Sequence, residues 1–101
     1  MNVEDAIRRV DELYAQLPYV KEEGVSGYRF GRVFIRYVLG RGLEPCPHCG
    51  GLVNMGVIVV KHDDGRGVGF EPRLGHYIEV GHPISSDDID GETLIAILTD
   101  A

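Results

Sequence analysis

The sequence contains no tryptophan, and its amide side chains are limited to two asparagines and one glutamine. It also lacks a long apolar run: the longest, residues 55–60, falls far short of the ~20 residues that a membrane-spanning helix needs. Glu4 and Asp5 precede every basic residue, a pattern that argues against a secretory signal, and we expect a cytoplasmic protein. Few amides with many isoleucine, valine and glutamate residues are typical of a thermophile's proteins, in which intracellular disulfides do occur.

Size and charge limit the classes of protein that remain. A chain of 101 residues with 44% hydrophobic residues is one ordered domain, and so small a core is marginal without a metal, a crosslink or self-association. We therefore expect a homodimer. The net charge of −6 argues against broad nucleic-acid binding. Residues 24–43 carry only basic charges and residues 85–101 only acidic ones, so we expect the two segments to attract each other, within one chain or across a dimer.

The sequence predicts an α+β fold in which an N-terminal helix packs on a mostly antiparallel sheet of about four to six strands. Apolar residues at helical spacing, Asn2 as N-cap and Pro18 as terminator define a helix over residues 3–16. Candidate strands cover residues 28–39, 52–62, 68–71, 76–80 and 93–99. The alternation pattern changes phase at Gly31, which predicts a bulge or a tight turn there. For residues 93–99 a helix is the alternative, started by a capping box of Ser85 and Asp88.

Both cysteines lie in residues 45–51, the stretch with the most specific spacing. The sequence Cys46-Pro47-His48-Cys49-Gly50 resembles the knuckle of a zinc ribbon, in which two thiolates separated by two residues bind one ion. The resemblance covers about seven residues and implies a zinc site. A structural zinc takes four ligands, and the chain contains no further cysteine.

Histidines are the candidates for the two remaining ligands: His62, His76 and His82. If residues 76–82 form one straight strand, His76 and His82 lie about 20 Å apart and cannot share an ion unless the chain bends sharply at Gly81. We therefore predict Cys46, Cys49, His62 and His76 as the zinc ligands. Alternatively, two chains each donate Cys46 and Cys49 to one ion on a dimer axis.

Three other roles for the two thiols stay open. Cys46 and Cys49 could form a disulfide with each other or with a second chain, or remain ordinary thiols. Cys-Pro-His-Cys also resembles the dithiol of thioredoxin-like oxidants of the bacterial periplasm, which implies disulfide exchange through Cys46. That chemistry needs the first cysteine at a helix N-terminus, whereas Gly50, Gly51 and a β-branched run follow here.

A second candidate site is the basic segment that begins at residue 28. Arg29, Arg32 and Arg36 alternate there with four aromatic residues, a composition found on sheets that bind single-stranded nucleic acid. We find no convincing catalytic set. The sequence thus favours a non-enzymatic structural or interaction protein that zinc or a disulfide rigidifies at residues 45–51. A nucleic-acid-binding module and a thiol–disulfide oxidoreductase are the alternatives.

Overall fold

The computed structural model describes the backbone of residues 1–101 and every side chain except those of Leu39 and Arg41. Over that backbone the chain forms three helices and five strands. In chain order these are α1 (Val3–Gln16), β1 (Tyr19–Glu22), β2 (Val25–Phe30), β3 (Val33–Pro45), β4 (Leu52–His62), β5 (Gly67–Phe70), α2 (Arg73–Val80) and α3 (Gly91–Thr99). This is the α+β class that the sequence predicts, with two helices beyond the N-terminal one.

Helix α1 has the predicted bounds and the predicted cap. The Asn2 side chain accepts a hydrogen bond of 2.8 Å from the Asp5 amide, which satisfies one of the free N–H groups at the helix start. The chain leaves the helix at Leu17, whose extended backbone is the conformation that a following proline requires. The buried face consists of Ala6, Ile7, Val10 and Leu13.

The five strands form one antiparallel sheet in the order β1-β2-β3-β4-β5. The predicted turn at Gly31 is confirmed: Phe30 pairs with Val33, and Gly31 adopts a φ of 57°, which a glycine reaches without steric cost. Strand β1 lies outside the candidate strands that the sequence predicts.

Strands β3 and β4 extend beyond their neighbours. Pairing between β2 and β3 ends at Ile35, and pairing between β4 and β5 begins at Ile58. Residues 36–45 and 52–57 therefore form a two-stranded extension, which we call the ribbon. Its register shifts between Leu39 and Leu43. Residues 46–51, with both cysteines, connect its two strands at the tip.

The predicted strands at residues 76–80 and 93–99 are wrong, because both segments are helical. Helix α2 buries Leu74 and Tyr77, and it ends at Gly81 in the left-handed conformation. In α3 the buried residues recur at helical spacing: Leu94, Ile97 and Leu98. Ser85 and Asp88 do form a hydrogen bond of 2.9 Å, but that bond closes a turn, and α3 begins only at Gly91.

All three helices contribute to one core on one face of the sheet. The fully buried side chains include Ile7 and Val10 of α1, Ile35 and Ile58 of the sheet, and Leu94 of α3. None of the helices in the described residues is long and apolar enough to cross a membrane.

The ion pairs differ from the predicted attraction between residues 24–43 and 85–101. Among the described side chains, Asp100 pairs with Arg66 at 2.9 Å, and Asp88 lies 3.7 Å from Arg73. Both arginines lie outside the basic segment. Within that segment, Arg29 pairs with Glu22 and with Asp63. Attraction between two chains stays a prediction.

The N-cap of α3 offers a test of the helix over residues that the sequence favours as a strand. The Asp90 carboxylate accepts hydrogen bonds from the amide and the hydroxyl of Thr93, at 3.2 and 2.6 Å. We expect Asp90→Ala to lower the free energy of unfolding by about 1 kcal/mol, measured by urea denaturation. The matched variant Asp87→Ala removes an exposed acid before the helix and should change stability by less than about 0.5 kcal/mol. Equal effects of the two variants would contradict the cap.

Candidate metal centre

The loop at the tip of the ribbon holds its two thiols through backbone hydrogen bonds. The Cys46 amide donates to the Gly51 carbonyl, and the Gly50 amide donates to the Cys46 carbonyl, each at 2.8 Å. Gly50 has a φ of 71°, which lets the chain reverse after Cys49. The turn leaves Cys46 buried, at 2% exposure, and Cys49 exposed.

Helix α2 and the residue after its C-cap supply two histidines to the same place. His76 lies on α2, and its Nε2 is 3.4 Å from the Cys49 sulfur. After Val80, Gly81 turns the chain back with a φ of 83°, and the His82 amide donates to the Tyr77 carbonyl at 2.8 Å. This reversal brings His82 alongside His76.

The four residues Cys46, Cys49, His76 and His82 could hold a metal ion. One ligand atom from each lies within 4.8 Å of the ligand atoms of the other three. A tetrahedral zinc with bonds of ~2.3 Å to sulfur and ~2.0 Å to nitrogen places its sulfur and nitrogen ligands about 3.5 Å apart. The 3.4 Å between Cys49 and His76 fits that geometry.

His82 provides a second, independent observation. Its Nε2 is buried and has no hydrogen-bond partner among the described residues. A buried polar atom without a partner is costly, and a missing ion is one of its ordinary explanations. The donor set, two thiols and two imidazoles, is also one that transition metals prefer.

Electrostatics favour the deprotonated forms that metal ligands need. Burial raises the pKa of the Cys46 thiol, but the resulting pKa is below the usual value. The pKa is lowered by hydrogen bonds from the amides of His48 and Cys49, by a hydrogen bond with the Cys49 thiol, and by the charge of Arg73. Burial lowers the pKa of His82, and the neighbouring His48 and His76 lower it further. The His48 ring lies 4.9 Å from that of His82 and packs edge-on against Tyr77.

The structure brings together three of the four predicted zinc ligands and replaces the fourth. Cys46, Cys49 and His76 meet, but His62 lies at the far end of β4. Its Nδ1 accepts a hydrogen bond from the Asp64 amide, and its Nε2 lies 3.1 Å from the Asp100 carbonyl oxygen. His82 takes the position assigned to His62. The sequence signal for His82 as a ligand is Gly81, because a bend at that glycine brings His82 close to His76.

The disulfide between Cys46 and Cys49, one of the alternatives that the sequence leaves open, is not present. Both residues are free thiols, and their sulfurs are not at bonding distance. A disulfide between two chains stays a prediction.

The three arginines of the nucleic-acid hypothesis do not form a uniformly basic surface. The Arg29 guanidinium lies over the Phe34 ring and donates hydrogen bonds to Glu22 and to Asp63. These acids raise the pKa of Arg29 further above its usual value. Arg36 lines a cavity of about 460 Å³ that Arg29 shares with both acids, and Arg32 is exposed at the Gly31 turn. The cavity therefore carries charges of both signs.

The hairpin beside His62 gives a prediction about pH. Hydrogen bonds from the Arg66 side chain and amide lower the pKa of Asp64 to about 2, from an ordinary value of 3.8. Because the folded pKa is the lower one, the charged carboxylate contributes fully to stability above about pH 4, and the contribution is lost as pH falls through about 2. We expect Arg66→Gln to return the pKa of Asp64 toward 3.8, measured by carboxyl NMR titration. An unchanged pKa in that variant would contradict the assignment to Arg66.

No protein-family model matches this chain, no curated protein matches it in sequence, and no solved structure matches it.

Proposed function

We propose that this chain is a non-enzymatic structural protein that binds one zinc ion through Cys46, Cys49, His76 and His82. The observation that carries the proposal is the convergence of four ligand atoms from two separate elements to within 4.8 Å of one another. The buried Nε2 of His82, which has no hydrogen-bond partner among the described side chains, supports it independently.

Zinc suits this donor set better than other metals do. Tetrahedral sites of two sulfurs and two nitrogens are typical of zinc, whereas magnesium and calcium prefer oxygen ligands. Four protein ligands also fill the tetrahedral coordination shell. A catalytic zinc keeps one position open for water or substrate, so a closed set of four favours a structural role.

The position of the site suggests what the ion stabilises. Cys46 and Cys49 lie at the tip of the ribbon, His76 lies within α2, and His82 follows the C-cap of that helix. A two-stranded ribbon is only marginally stable alone, and two of its apolar side chains, Leu43 and Leu52, are 54% and 68% exposed. A zinc ion bound by all four residues would fasten the ribbon to α2 and hold it in a defined orientation.

The oxidoreductase alternative has less support. Disulfide exchange needs an accessible attacking thiolate, and Cys46, the cysteine that the resemblance assigns to that step, is 2% exposed. The residues after it form a turn and then β4, so no helix N-terminus stabilises its thiolate.

Elemental analysis of purified ligand variants tests the proposal. We expect one zinc per chain in the wild-type protein and loss of stoichiometric zinc in Cys49→Ser and His82→Ala. The matched control is His62→Gln, which changes a histidine that hydrogen-bonds at the other end of β4 and should leave the zinc content unchanged. Circular dichroism would show that each variant remains folded.

Two results would contradict the proposal. Wild-type protein that contains two reactive thiols and takes up no zinc would exclude the site. Equal zinc affinity in His82→Ala and the wild-type protein would exclude the four-ligand arrangement.

A further inference from the structure

We propose that the metal centre responds to oxidants: hydrogen peroxide converts Cys46 and Cys49 into a disulfide within the chain, and the metal is released. This inference rests on the proposed zinc site and adds its regulation. The same two sulfurs serve as metal ligands in the reduced protein and as disulfide partners in the oxidised one.

The placement of the two thiols supports an oxidation within the chain. They occupy one turn, three positions apart, and their sulfurs lie within 4.8 Å of each other. A disulfide bond needs about 2.05 Å between the sulfurs, so a small movement within the turn is enough. They are also the only cysteines of the sequence, so no other thiol of the same chain competes.

The difference in exposure assigns an order to the two thiols. Cys49 is exposed and Cys46 is buried, so an oxidant from solvent meets Cys49 first. Cys46 then lies directly beside the oxidised sulfur as the resolving thiol. Sensor cysteines typically combine an accessible thiol with a neighbouring resolving one.

The chemistry balances with peroxide as the two-electron oxidant. The Cys49 thiolate attacks one peroxide oxygen, the O–O bond breaks, and the departing hydroxide takes up a proton and leaves as water. The Cys49 sulfenic acid then accepts attack on its sulfur by the Cys46 thiolate, and its hydroxyl leaves with a second proton as a second water. Two thiolates, one peroxide and two protons thus yield one disulfide and two waters. Each sulfur loses one electron and loses its thiolate charge, so only two imidazoles remain to hold the ion.

Most of the buried core lies outside the four ligands, of which only Cys46 belongs to it. The core of Ile7, Ile35, Ile58 and Leu94 is fully buried and lies outside the metal centre. The loop also keeps its own backbone hydrogen bonds between Cys46, Gly50 and Gly51. Oxidation is therefore expected to free the tip of the ribbon from the end of α2 while the domain stays folded.

The experiment treats zinc-loaded protein with a small excess of peroxide and follows zinc with a chromogenic chelator. We expect release of one zinc per chain, loss of both thiols, and an intact mass lower by about 2 Da, as expected for loss of two hydrogens. The chain should remain monomeric by weight on a non-reducing gel, and a thiol reductant with added zinc should reverse the change. Peptide mapping of the wild-type protein would locate the Cys46–Cys49 bond.

A matched variant separates disulfide formation from simple ligand damage. Cys49→His keeps a fourth metal ligand but removes the possibility of a disulfide within the chain, and we expect peroxide to release its zinc at least tenfold more slowly. If this variant does not load zinc, the peptide map and thiol count of the wild-type protein still decide the matter. Zinc retained with both thiols intact after excess peroxide would overturn this inference alone, as would oxidation to sulfinic acid or to a disulfide between chains. A reduced protein that binds no zinc would overturn the proposed function itself.

Discussion

Removal of zinc by a chelator is expected to lower the free energy of unfolding of the wild-type protein by about 4 kcal/mol when free zinc had been a thousandfold above Kd. For a domain of this size, that change corresponds to a drop of roughly 15–30 °C in the midpoint of thermal unfolding. The physical reason is that the ligands come from two segments, residues 46–49 and 76–82, which only the folded chain brings together. Calorimetry with and without chelator measures the difference.

The variants of the metal centre make this expectation specific. In His82→Ala the unfolding midpoint should already be low, and the chelator should lower it little further. His62→Gln should respond to the chelator as the wild-type protein does, because His62 is hydrogen-bonded at the other end of β4. If the chelator removes zinc and the midpoint of the wild-type protein stays unchanged, the ion does not couple the ribbon to α2.

The elements that the sequence predicts correctly are those with local signals. Helix α1 combines an apolar face with a cap at Asn2 and a terminator at Pro18, all within one short segment. The Gly31 turn follows from a change of phase in the alternation of apolar residues. In each case the nearest neighbours in the chain decide the structure.

The errors at residues 76–80 and 93–99 arise because, over short segments, apolar residues can fit both the two-residue repeat of a strand and the 3.6-residue repeat of a helix. Over five residues, His76, Ile78 and Val80 alternate as a strand would, yet Leu74 and Tyr77 are spaced as one buried helical face. The candidate strand over residues 68–71 ends before Pro72, and proline is equally suited to the start of a helix. Helices of eight or nine residues gain most of their stability from tertiary packing, which the sequence alone does not display.

The same overlap explains why only part of the metal centre was predictable. The spacing of Cys46 and Cys49 alone predicts that the two thiols can bind one ion. His76 and His82 are about 20 Å apart on a straight strand, but a helix rises only ~1.5 Å per residue, and the left-handed Gly81 then reverses the chain. Because the sequence predicts a strand over residues 76–80, His82 is excluded as a ligand and His62 takes its place in the prediction.

The second large effect is expected at Tyr77, the residue that connects the core to the metal centre. Its side chain is 2% exposed and is among the largest fully buried ones. The ring packs edge-on against His48 at 4.9 Å and against His82 at 5.7 Å. We expect Tyr77→Ala to lower the free energy of unfolding by about 3–5 kcal/mol, as large-to-small changes of buried aromatic residues do. Chemical denaturation of the zinc-free proteins measures this loss without any contribution from the ion.

Two further variants separate the packing role of Tyr77 from its role beside the ligands. Tyr77→Phe keeps the ring and should retain most of the stability and the zinc affinity. Leu94→Ala creates a cavity in a fully buried part of α3 and should cost about 2–5 kcal/mol. Zinc affinity, measured in buffer where each variant is folded, should fall in Tyr77→Ala and stay near the wild-type value in Leu94→Ala. Because both variants weaken the core, a selective loss of affinity in Tyr77→Ala would show that its ring helps to position the neighbouring ligand residues. Equal affinities would mean that the centre is held by the loop and by Gly81 alone.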